Sequence, residues 1–220
     1  MFTRRHFIKT SAALFSAPIA SPVFASAWPI SSQKDAWDAQ VTPLNFDLET
    51  SNPWGLQPRF LPRRVEARAG LTPGDIHVDA VARYLYRIEE GGTAMRYGVA
   101  IARGKLYEPG TYTIHRKVKW PHWRPTQSMI ERNPKYAEFE DGQEPGPENA
   151  LGSRALYLFV GQQDTYLRIH GTPKASSIGG RASSGCVRMV MSHINELYPK
   201  VALGSTAFLY SAEDSVTASS

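Results

Sequence analysis

From Asp75 onward the chain consists of short runs rich in β-branched and aromatic residues, each closed by glycine, proline or charge. Such runs are too short and too β-branched for helices and read as strands. They are Ala82–Glu90, Ala94–Ala102, Thr111–Val118, Ala155–Val160, Thr165–His170 and Thr206–Tyr210. Glu90-Gly91-Gly92 joins the first two as a hairpin, because adjacent glycines adopt the positive φ that tight turns need. Glu108-Pro109-Gly110 introduces the third. The rhythm stops between Lys119 and Gly152, where Trp120, Trp123, Tyr136 and Phe139 mix with prolines and charges in an irregular insertion holding one helix near Thr126–Arg132. A second helix is expected at His193–Val201, capped by Ser192, with Ile194, Leu197 and Val201 on one face. The outline is a mainly β domain with one long insertion and two short helices, over residues 75–211.

The flanks differ in character. Residues 28–74 contain six X-Pro steps, from Trp28-Pro29 to Thr72-Pro73, a density that argues against long helices and for an extended wrap. Residues 212–220 read as a disordered tail. Residues 1–27 combine paired Arg4-Arg5, an apolar stretch from Ala12 to Ala20 and the small-residue site Ala25-Ser26-Ala27, the pattern of a twin-arginine export signal. The apolar stretch is far shorter than the ~20 residues that cross a bilayer. The expectation is therefore an exported chain, soluble in the periplasm after cleavage, with the twin-arginine machinery as a transient partner.

Removing the signal takes away Arg4, Arg5 and Lys9 and no acid, so the formal charge falls from +5 to +2. That balance does not suggest nucleic-acid binding. No His-Glu-x-x-His or related spacing links His77, His115, His122 and His193, and one cysteine cannot build a structural zinc site, so neither metal nor cofactor is expected. The single cysteine carries more information. An exported chain with one Cys leaves a free thiol in an oxidising compartment, either as a small buried hydrophobe or as a reactive group.

Two segments favour reactivity. In Tyr166-Leu167-Arg168-Ile169-His170-Gly171-Thr172, alternation places Leu167 and Ile169 on one strand face and Tyr166, Arg168 and His170 on the other. His170 is thus out of phase with the core. In Ser183-Ser184-Gly185-Cys186-Val187-Arg188-Met189, Gly185 leaves room for a substrate carbonyl and frees backbone N–H groups for an oxyanion hole. Cys186 and Arg188 share a face about 6.6 Å apart, where a cation would favour the thiolate or grip a substrate carboxylate.

These segments resemble the signature of the YkuD-type L,D-transpeptidases, a His-Gly-Thr strand followed by Ser-x-Gly-Cys-(Ile/Val)-Arg. Further blocks look alike, among them Ala94–Val99, Trp120–Pro125, Met129-Ile130 and Asn149–Tyr157, so the resemblance spans roughly residues 57–210. It implies a mixed β-sandwich with Cys186 as nucleophile and His170 as general base. It also implies oxyanion or supporting roles for Gly185, Ser183 and Ser184, with Ser183 holding His170, and substrate contacts from Arg188, Gly171, Thr172 and Tyr166. The implied partners are peptidoglycan stem peptides as donor and acceptor, with release of D-alanine and a bond between diaminopimelate residues. Hydrolysis of the same thioester, attachment of an outer-membrane protein, or a non-catalytic wall-binding module remain open on sequence. Ser176 stands where relatives often carry Trp, and Met191 where Asn is common.

Overall fold

The computed structural model describes residues 30–211. The expected export signal, residues 1–27, and the expected disordered tail, residues 212–220, lie outside the described residues. Eleven strands follow in order: β1 (Arg63–Glu66), β2 (Ile76–Asp79), β3 (Tyr84–Ile88), β4 (Thr93–Gly98), β5 (Ile101–Ala102), β6 (Gly110–Lys119), β7 (Arg154–Val160), β8 (Gln163–Thr172), β9 (Arg181–Ser183), β10 (Val187–Val190) and β11 (Thr206–Leu209). Nine form one sheet in the order β1-β4-β3-β2-β11-β6-β7-β8-β10, and β5 pairs with β9 apart from it. The sheet is mixed, since β10 runs parallel to β8 and β11 parallel to β2 while the other neighbours are antiparallel.

The two halves of this long sheet meet. Ala100, two residues beyond β4, exchanges backbone hydrogen bonds of 2.9 and 2.8 Å with Arg188 of β10, so the sheet curls until its far strands touch. One apolar core fills the space between the halves. Ile76, Leu85, Tyr97, Ile114, Leu158, Ile169 and Met189 are all fully buried in it, each worth roughly 1.5–3 kcal/mol on leaving water. This two-layered, mainly β arrangement is the fold class expected.

Three helices accompany the sheet: α1 (Ile30–Val41), α2 (Gln127–Arg132) and α3 (Met191–Leu197). The first was not expected from the proline density. It fits because Pro29 and Pro43 bracket a proline-free stretch. It docks through Trp37, whose ring lies 5.1 Å from that of buried Trp120, and through a 2.6 Å ion pair from Asp38 to Arg154. Trp120 therefore anchors the insertion to the body, while Trp123 packs edge-on against Tyr136 and Phe139 within it. The supposed extended wrap also supplies β1, an edge strand on β4.

α2 begins where expected, Thr126 Oγ1 accepting from the Met129 N–H. α3 does not. Val190, the last residue of β10, is its N-cap, Ser192 is buried inside it, and the α-helix stops at Leu197. Pro199 lacks the N–H that would continue the ladder, so only a 3-10 turn, Tyr198–Lys200, follows.

Candidate active site

β8 and β10 build the site. Their parallel register sets Arg188 opposite His170 and Val187 opposite Ile169. Val187 and Ile169 are buried in the core, so Arg188 and His170 share the other face. Cys186 lies one residue before β10. The half-buried residues Cys186 and Arg188 alternate with the buried Gly185, Val187 and Met189, so the thiol belongs to the His170 face. By strand spacing the Cα atoms of Cys186 and His170 are about 8 Å apart, within reach of a thiol and an imidazole that turn toward each other.

The turn ahead of Cys186 is held tightly. Gly185 sits at φ 147°, and a Cβ there would press Leu167 Cδ2 at 3.1 Å. Ser183 Oγ donates to the Cys186 carbonyl and accepts from the Gly185 N–H at 3.4 Å, while the Ser183 carbonyl accepts from Arg103 N at 3.1 Å. Ser183 therefore braces the turn before Cys186 and makes no hydrogen bond to His170 among the described residues, in place of the holding role the resemblance implied. Ser184 lines a cavity beside the turn.

The strand carrying His170 is interrupted by a bulge. β7 and β8 shift register between Tyr157↔Arg168 and Phe159↔Asp164, and Tyr166 takes a positive φ of 61°. Simple alternation therefore fails at Tyr166, which is 70% exposed. Its carbonyl is the partner of Cys186 Sγ, at 3.8 Å. Arg168, two residues on, is closed by a two-point ion pair to Asp164 of 2.6 and 2.8 Å and lies 3.9 Å over the Tyr157 ring. Neither the bulge nor this pair was legible in sequence, although the phase of Arg168 with His170 was a signal for its place.

His170 Nδ1 lies 2.6 Å from the Gly171 carbonyl, which fixes Nδ1–H as donor and leaves Nε2 as the basic nitrogen. Burial pushes this imidazole down to about 3, with the Arg188 charge acting the same way and the Gly171 and Leu151 carbonyls opposing. Burial also pushes the Cys186 thiol up, against the Arg168 backbone and the Arg168 and Arg188 charges. The resting pair at neutral pH is thus a thiol and a neutral imidazole, and the cation beside Cys186 does not secure the thiolate the spacing suggested.

Gly171 and Thr172 are buried. A Cβ on Gly171 would meet Ile194 Cγ2 and Ser153 N at 3.2 Å, so its place is beneath α3 and the 149–153 loop and not open to a ligand. Thr172 is 4% exposed and its Oγ1 accepts from Lys174 N, closing a turn. The expectation of substrate contact at these two residues gives way to packing. Gly152, within the Asn149–Tyr157 stretch, matters more. At φ 61° its Cα approaches so closely that a Cβ would lie 2.7 Å from the Gly171 carbonyl carbon. Its bare backbone lets the loop press on β8, bringing the Leu151 carbonyl to the imidazole.

Residues 73–209 match the family model described as YkuD, the L,D-transpeptidase catalytic domain. A Fuscovulum blasticum protein named "Putative L,D-transpeptidase in ATP synthase subunits region ORF 5" is 36% identical over 100 residues, 46% of this chain and 49% of its own length. The Escherichia coli protein named "Probable L,D-transpeptidase YbiS" is 35% identical over 102 residues, 43% of this chain and 30% of its own. The chain thus spans half or less of the curated relatives it matches. A solved chain from Brucella melitensis, titled a probable carnitine operon oxidoreductase, is 46% identical, covers 70% of this chain and 96% of its own, and has a TM-score of 0.48.

Proposed function

The chain belongs to the YkuD family of L,D-transpeptidase catalytic domains, and from that membership we propose that it cross-links peptidoglycan through a thioacyl-enzyme on Cys186. The observation that carries the reading is the shared face of β8 and β10, with His170 opposite Arg188 and Cys186 two residues before it. Cys186 Sγ attacks the carbonyl at the L-centre of diaminopimelate in a donor tetrapeptide stem. His170 Nε2 takes the thiol proton as the S–C bond forms and returns it to the departing nitrogen as the C–N bond to D-alanine breaks. A thioester remains. The side-chain amine of an acceptor stem then attacks, its proton passes to His170, and the thiolate leaves and is reprotonated. No ATP is consumed, because the energy of the broken peptide bond is kept in the thioester.

The Cys186 N–H, which makes no hydrogen bond among the described residues, is the proposed oxyanion donor, and the Gly185 N–H could join it only by leaving its long 3.4 Å contact with Ser183 Oγ. Arg188 and the exposed Tyr166 border the approach to sulfur and are the proposed substrate contacts. The paired arginines and small-residue site in residues 1–27 support a periplasmic setting. No helix among the described residues is long and apolar enough to cross a membrane.

Incubating purified protein with disaccharide-tetrapeptides tests the reading. Dimers joined through two diaminopimelate residues, with free D-alanine, are expected. Tripeptides alone would replace the transferase with a carboxypeptidase, and no release of D-alanine would contradict the reaction altogether.

A further inference from the structure

A cavity opens beside the turn that carries the nucleophile. Arg103 and Leu106 reach it from the segment after β5, Arg132, Asn133 and Tyr136 from the insertion, and Ser184 from the turn itself. Arg103 is held in place from both sides, by the pairing of Ala102 with Ser183 and by its own N–H on the Ser183 carbonyl. Arg132 ends α2, next to the Asn133 side chain that caps the following turn through Lys135 N.

Four arginines among the described residues are closed by ion pairs, and the rest, the two that line this cavity among them, are not. Arg64, Arg87, Arg154 and Arg168 each meet a carboxylate. Among the described residues Arg103, Arg132 and Arg188 have no acidic partner within ion-pair distance, and Arg188 Nε is buried without a hydrogen-bond partner. Burial first, and Arg103 among the charges, lowers the Arg188 guanidinium, which also senses Cys186 and Tyr136. Arg103 and Arg132 are exposed and line this cavity, so two guanidinium forks without a carboxylate partner stand open there to an anion from solution.

We propose that this cavity is the subsite for a free carboxylate of the peptide stem, held by Arg103 and Arg132, which line it beside the turn of Cys186. The proposal rests on the reading of the substrate given above. A guanidinium pairs a planar carboxylate through two parallel N–H donors, Tyr136 and Asn133 add neutral hydrogen-bonding groups, and Leu106 and Met129 face the aliphatic carbons next to it. A tetrapeptide stem has two candidate carboxylates: the C-terminal one of D-alanine and the free one on the diaminopimelate side chain.

The test titrates the tetrapeptide, its C-terminal amide and its diaminopimelate side-chain amide into full-length Cys186→Ala protein by calorimetry. One amide is expected to bind roughly tenfold more weakly, which identifies the carboxylate. Adding Arg103→Ala and Arg132→Ala should weaken the parent peptide by at least that factor and abolish the difference between it and that amide. Arg103→Lys with Arg132→Lys should restore part of it. Indifference to both amides, equal loss for all three ligands on removing the arginines, or no binding of the parent peptide overturns the subsite. Carboxylate-dependent binding that needs the two arginines, in a protein whose wild type forms no thioester, upholds the subsite and sinks only the proposed reaction.

Discussion

At Cys186 and His170 the same cause has opposite effects: burial raises the thiol and lowers the imidazole to about 3. Both groups then rest uncharged at neutral pH, and sulfur must lose its proton as it attacks and not before. Sγ lies by the Tyr166 carbonyl, and no hydrogen bond joins it to His170 among the described residues, so the proposed proton transfer requires the thiol to turn toward Nε2. The carbonyls of Gly171 and Leu151 are poised to stabilise the imidazolium that forms. Gly152 is what lets Leu151 approach. Gly152→Ala would drive a Cβ to 2.7 Å from backbone of Gly171 at a φ of 61°, where neither partner can yield cheaply. Its expected effects are a loss of about 1–3 kcal/mol in unfolding free energy and a fall in kcat of tenfold or more. Gly161→Ala, at φ 56° with nothing within 4 Å, is the control, losing stability from strain alone and keeping full activity. Full activity in both variants would remove the 149–153 loop from the account.

Elements were legible where a local period governs them and illegible where a distant partner does. The alternation of Leu167 and Ile169 against Arg168 and His170 reads directly off the sequence because the core imposes a period of two on β8. Tyr166 breaks that period, since the bulge depends on Asp164, which accepts from Tyr166 N and pairs with Arg168. These partners are close in sequence, yet side-chain hydrogen bonding leaves no trace in an apolar period. α1 lacks a clear apolar stripe, and its stability comes from Trp120, Arg154 and Asn195, contacts more than eighty residues away in sequence. α3 starts early because β10 runs into it without a linker, making the last strand residue its cap and leaving Ser192 inside. The Ser-x-Gly-Cys turn was recognisable as chemistry, yet the work of Ser183 was not, because its partners lie within the turn and on Arg103 and not on the histidine strand.

The whole molecule is a sheet curled until Ala100 meets Arg188, and the site lies along that seam. Three buried histidines, His77, His170 and His193, are each pushed down by burial and make this body sensitive to acid. His193 packs among Phe46, Trp54 and Tyr97 with neither ring nitrogen partnered, and burial pushes it, like His170, down to about 3. Between the usual 6.5 and about 3 the unfolded chain binds protons that the folded one refuses. Stability therefore rises with pH across that window and is lost as pH falls through it, by up to about 1.4 kcal/mol per pH unit for each group. His193→Phe removes one titrating group and one set of unpaired buried nitrogens. It should raise the urea midpoint at pH 5 more than at pH 8; equal shifts at both would show that the imidazole does not carry the acid sensitivity.

The central claim concerns a covalent bond, and intact-mass spectrometry of protein quenched in acid during turnover of a disaccharide-tetrapeptide observes it directly. The account predicts a wild-type adduct equal to the substrate less D-alanine, mapped to Cys186, absent in Cys186→Ala and strongly reduced in His170→Gln. Cross-linked product accumulating from Cys186→Ala, or an adduct whose rate of formation ignores the loss of His170, would contradict it.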